Sequence, residues 1–166
     1  MELSREQHLD PAKAHLTYQS NYAPVEVFAA MIALQDPEQI TASCTASSGG
    51  QGGTTWRTLW LSADRLTYCT AFNAADPDWT LYLGNPMGVV EADVTAWNVP
   101  LRDVELGVSK LRAAGQSFGG GVEADAVWSV AVPGGREVTV PLFGDFAGHR
   151  GQEAAEAFVA ALRSAL

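Results

Sequence analysis

Residues 54–72 read TTWRTLWLSADRLTYCTAF, and the alternation inside this stretch decides the fold. Side chains along a strand point to opposite faces in turn, so Trp56, Thr58 and Trp60 share one face while Arg57, Leu59 and Leu61 share the other. SADR supplies a turn, after which Leu66, Tyr68, Thr70 and Phe72 line one face of a return strand. The charged Asp64-Arg65 tip keeps that turn in water and helps to set the register. The stretch is therefore expected to be a strand, a turn and a strand, with its tryptophans in a core rather than on a ligand platform.

Upstream, QITASCTAS (39–47) is rich in β-branched and small residues and reads as a strand, broken by SGGQGG. Before it, PVEVFAAMIALQ (24–35) suits a short helix: proline at its start, Glu26 in the first turn and a stop at Asp36-Pro37. Val25, Phe28 and Ile32 are expected to face a sheet. Residues 1–23 form a polar segment, either a frayed arm or a short helix docked on a single domain over 24–166.

Downstream, NAADPDW reads as a loop and WTLYLG (79–84) as a short strand. VVEADVTAWNVPLRDVELGV (89–108) has strand character, with Pro100 at an edge, a bulge or the junction of two strands because it lacks a backbone donor. AAGQSFGGGVEAD is a connection. AVWSVAV (126–132) and EVTVPLF (137–143) flank PGGR, a hairpin signal. The chain closes with GQEAAEAFVAALRSAL, whose alanines favour helix and whose Ala155, Phe158, Leu162 and Leu166 make an apolar stripe.

Composition sets bounds on function. The chain has 166 residues, enough for one domain with a sizeable core, and is 47% hydrophobic and 17% charged. Nineteen acidic residues against ten basic ones give a net charge of −9. That balance argues against nucleic acid and against strong binding to anionic membrane lipid. Cys44 and Cys69 lie in apolar, strand-like stretches, as buried thiols in a reduced compartment would. The polar first residues, MELSREQHLD, show no apolar signal region, so a cytoplasmic location is expected.

Three stretches taken in order carry a resemblance. LWLSADRLTYCTAF, WNVPLRDVELGV and REVTVPLFGDFAGHRGQEAAEAFVAAL resemble the second hairpin, the proline-leucine strand entry, and the last strand with closing helix of pleckstrin-homology-like (PH-like) domains, including the GRAM and bacterial PH-like groups. The resemblance covers about residues 37–166. It implies a mainly β, α+β fold: an antiparallel sandwich or partly open barrel closed by a C-terminal helix, here with an additional N-terminal helix. It also implies a non-catalytic binding or scaffolding module that recognises protein, self-association and a homo-oligomer included. The first hairpin loop departs from the phosphoinositide-binding members, since SSGGQGGTTWR has Arg57 as its single cation. The alternative is a small-molecule-binding β-barrel protein or an enzyme with a cavity between sheet and helix.

Candidate sites follow from residue type and placement. Trp79, Tyr82 and Met87 lie in a loop-rich segment where large side chains would project as anchors for a partner. For the alternative, GDFAGHR offers Asp145 to orient His149, with Arg150 near the start of the closing helix. The acidic pairs Asp76/Asp78, Glu91/Asp93, Asp103/Glu105 and Glu123/Asp125 lack the calcium-loop pattern and read as solvated edges. SGGQGG and GQSFGGG lack a Gly-Lys-Ser/Thr ending and a following helix, so turn glycines explain them. No nucleophile elbow, metal set or cofactor motif stands out, and neither a cofactor nor catalysis is expected.

Overall fold

The computed structural model describes residues 4–76, 79–80, 92–113, 124–144 and 149–166. The described chain is mainly β with helices at both ends, the α+β class expected from the strand pattern. It divides into two compact units, Met1–Val99 and Pro100–Leu166.

The first unit begins with a π-type turn over Arg5–Leu9, α1 (Asp10–Lys13) and a minimal hairpin of β1 (Thr17–Tyr18) and β2 (Asn21–Tyr22). α2 (Val25–Leu34) follows, started by Pro24, then a 3-10 turn at Pro37–Gln39. A four-stranded antiparallel sheet comes next, in the order β3 (Ala42–Gly50), β4 (Gly53–Leu61), β5 (Arg65–Asn73) and β6 (Asp93–Pro100). The 54–72 hairpin forms as its alternation requires, with Thr54 opposite Asn73 and Leu61 opposite Leu66. The strand expected over 39–47 starts three residues later, because Pro37–Gln39 is spent on the turn. It also runs into the glycines, with Gly50 opposite Gly53. Gly53 has φ +103°, and a Cβ there would lie 2.2 Å from the Asn73 carbonyl oxygen, so only glycine fits this corner.

Both faces of the central hairpin are buried. Trp56 and Trp60 share a cluster with Cys69, Ala71, Phe28 and Met31, and Leu59, Leu61, Leu66 and Tyr68 are buried on the opposite face. The tryptophans are core, and the hydrophobic gain from burying such large rings anchors this unit. Two expectations change here. The helix buries Val27, Phe28 and Met31, while Val25 is 45% exposed at its first turn. A helix apolar on nearly every side carries no periodicity that selects a face. The polar segment 1–23 also supplies Ala12, Leu16 and Ala23, all fully buried in the tryptophan cluster. Leu9, Ala12 and Leu16 recur at helical spacing, a short signal hidden among polar neighbours.

The second unit holds an antiparallel sheet in the order β7 (Glu105–Ala113), β8 (Ala124–Val132) and β9 (Arg136–Val140), then α3 (His149–Ala165). Pro100 ends β6 and a 3-10 turn at Leu101–Asp103 leads into β7, so the proline stands at a strand junction as expected. PGGR turns β8 into β9, with Gly134 and Gly135 at φ +85° and +72°, where L residues are strained. On β8, Ala126, Val130 and Val132 are buried on one face, and their β9 neighbours Val138 and Val140 are buried with them. α3 buries Ala155, Phe158, Val159 and Leu162, and Leu166 stays 55% exposed just beyond its end. It lies along β8, with Gln152 Nε2 donating to the Ala126 carbonyl at 3.5 Å and the Arg163 guanidinium 4.2 Å from the Trp128 ring centroid. Among the described residues no sheet closes on itself, and no helix is long and apolar enough to cross a membrane.

Candidate interaction surface

β7 is an edge strand: β8 takes one side of its backbone, and no described strand pairs with the other. Its pairing with β8 places Glu105 opposite Ala131, Leu106 opposite Val130, Gly107 opposite Ser129 and Val108 opposite Trp128. The register then slips at Ser109, whose hydroxyl donates to the Val127 carbonyl at 3.1 Å. Beyond this bulge Lys110 faces Val127, Leu111 faces Ala126 and Arg112 faces Asp125. An inserted residue shifts the alternation by one. Leu106, Val108 and Leu111 therefore share the face of Val130, Trp128 and Ala126, while Glu105, Gly107, Lys110 and Arg112 share the other.

That first face is apolar: on β8 Ala126 and Val130 are buried and Trp128 half-buried, yet toward the far end of β7 it stays open to solvent. Val108 is 53% exposed and Leu111 is 67% exposed. An isolated exposed leucine is ordinary, but two large apolar side chains beside a backbone edge unpaired among the described residues form a template for another strand. The reverse face carries charge. Arg112 reaches the Asp125 carboxylate through Nε at 3.2 Å and Nη2 at 2.5 Å, and Lys110 Nζ donates to the Gly144 carbonyl at 3.4 Å. The sequence places 89–108 in strands and offers an edge only as one of three settings for Pro100, without marking 105–113 as the strand that ends a sheet. Edge position depends on pairing between distant segments.

A second polar cluster lies in the first unit. His15 Nδ1 is 3.1 Å from the Ser43 hydroxyl, and its ring makes a T-shaped contact with Trp60, centroids 5.9 Å apart. The His15 carbonyl accepts from Thr45 Oγ1 at 2.7 Å and from Trp60 Nε1 at 3.4 Å. Burial holds the imidazole below its ordinary value of 6.5. These contacts pin the segment before β1 onto β3 and β4. A histidine beside a serine is half of a nucleophile arrangement, but among the described contacts of this ring there is no carboxylate to orient it.

The residues singled out from sequence distribute as follows. Trp79, expected to project as an anchor, is only 4% exposed and packs in the tryptophan cluster. Its carbonyl accepts from Trp56 Nε1 at 2.6 Å, so it satisfies a buried indole donor instead of meeting a partner. Tyr82, Met87 and Asp145 lie outside the described residues, and His149 and Arg150 open α3. Of the acidic pairs, Asp103 and Glu105 line a groove of about 240 Å³ with the PGG turn, and Asp125 is held by Arg112. Among the described residues no group of three or more His, Cys, Asp or Glu side chains is arranged to hold a metal ion. No family model, no curated protein and no solved structure matches this chain.

Proposed function

We propose that this chain is a non-catalytic, PH-like module that recognises protein by accepting an extended segment along the open edge of β7. The observation that carries the reading is the exposed pair Val108 and Leu111 beside a strand edge that no other described strand pairs with. Main-chain hydrogen bonds along such an edge give affinity, and alternate side chains give selectivity. The order of four strands, three strands and a closing helix supports the PH-like part of the reading. A net charge of −9 favours a protein partner over phosphate-rich ones. Buried, free Cys44 and Cys69 suit a reducing, cytoplasmic setting.

The test compares wild-type protein with the Val108→Lys/Leu111→Lys double variant as bait in native extract and in native mass measurement. The control is Phe72→Lys, which changes an exposed apolar residue on β5. Partners should be lost from the double variant and kept by the control. Partners retained equally by all three proteins would place recognition elsewhere and overturn this reading.

A further inference from the structure

We propose that the segment accepted at β7 is β7 of a second copy of this chain, added antiparallel about a two-fold axis; this rests on the edge of β7 being the recognition surface. The sequence of the strand is complementary to its own reverse. When Glu105 faces Arg112 of the other copy, Leu106 faces Leu111 and Gly107 faces Lys110. The two-fold axis repeats every pair, so one contact contains two Glu–Arg pairs and two Leu–Leu pairs.

The bulge at Ser109 makes this register possible. In a regular strand, residues 105 and 112 point to opposite faces. Here the extra residue brings Glu105 and Gly107 onto the face of Lys110 and Arg112, and Leu106 onto the face of Leu111. Every pair named above therefore joins side chains on one face of the extended sheet. Opposite-charge and apolar cross-strand pairs each add to sheet stability. Other arrangements lose these pairs. Sliding the copies so that Glu105 meets Lys110 sets Gly107 against Val108, which lie on opposite faces. A parallel, in-register arrangement stacks Lys110 on Lys110 and Arg112 on Arg112, where like charges repel.

Charge points to the same occupant. Two copies that each carry −9 repel at long range, yet this strand is close to balanced, with Glu105 and the Asp125 held by Arg112 offsetting Lys110 and Arg112. β7 is thus a strip along which two acidic copies can approach. Val108 and Leu111, exposed in the single chain, are covered in the pair.

Sedimentation at increasing protein concentration, with circular dichroism to confirm folding, tests the proposal. Wild-type protein should dimerise. Glu105→Arg and Arg112→Glu should each weaken the dimer by about tenfold or more, a loss read directly in Kd. The Glu105→Arg/Arg112→Glu double exchange, made in an Asp125→Asn background because Arg112 holds Asp125 of its own chain, should recover it, since exchanging the charges restores both pairs. Leu111→Lys, at a solvent-exposed position where folding is not at risk, should also give monomer. A wild-type monomer up to about 1 mM, the weak end of specific association, overturns the proposal. So does a dimer that survives either single reversal, or one that the double exchange fails to restore. If the wild type is monomeric but still captures a partner that the Val108→Lys/Leu111→Lys variant loses, self-association fails while recognition at β7 stands.

Discussion

His15 is where three contacts meet: Ser43 on its ring nitrogen, Thr45 and Trp60 on its carbonyl, with the indole and imidazole rings in a T-shaped arrangement. Desolvation disfavours the charged ring, so the folded chain takes up a proton at lower pH than the unfolded chain does. Between the folded value and 6.5 the unfolded state binds more protons, and stability therefore rises with pH across that window. The His15 contribution is complete above 6.5 and is lost as pH falls toward the lower folded value. Denaturant melts at about pH 7.5 and about pH 5.5 should show a loss on acidification that is smaller in His15→Asn. An identical loss in both proteins would assign the pH response to other groups. Cys44 and Cys69 are buried and protonated, their thiols pushed up to about 12 by burial. Because Cys44 lies opposite Leu59 and Cys69 opposite the adjacent Thr58, the two thiols point to opposite faces of the sheet and form no bridge.

The end of α2 is joined to the sheet by a small polar network rather than by apolar contact alone. Thr67 on β5 donates to the Gln35 side-chain oxygen at 2.5 Å, and Asn98 Nδ2 on β6 donates to Thr67 Oγ1 at 2.6 Å. Arg65 donates to Asn98 Oδ1, and Asn98 Nδ2 also reaches the Leu34 carbonyl at 3.4 Å. Thr67 is fully buried and Gln35 nearly so, leaving little water to replace a lost partner. Thr67→Val keeps the shape and removes the hydroxyl, stranding an acceptor on Gln35 and a donor on Asn98. The expected cost is about 1–3 kcal/mol, the penalty for unsatisfied buried polar groups. Urea unfolding of both proteins measures it, and a change below about 0.5 kcal/mol, typical of surface substitutions, would mean that the network contributes nothing. The network explains how a helix of almost uniform apolar character is held at a defined place: its polar C-terminal residue finds specific partners.

The acidity of the chain reaches beyond any single element. With a net charge of −9 and an Arg57-only first hairpin loop, the surface should repel anionic bilayers. Sedimentation with phosphoinositide-containing vesicles should leave the protein in the supernatant, and saturable, salt-sensitive binding would contradict this. Much of the architecture was legible in the residue pattern because local periodicity reports local structure. The 54–72 hairpin, the proline junction at 100, the PGGR turn and the Ala155–Phe158–Leu162 stripe each follow from neighbours within about one turn or one strand. Charge balance likewise needs no coordinates. Tertiary structure alone decided which side chains face solvent: it drew Trp79 into the core, buried Ala12 and Leu16 from a polar segment, and left β7 at a sheet edge. Those outcomes depend on which distant segments pair and pack, and alternation within a strand does not encode its place in the sheet.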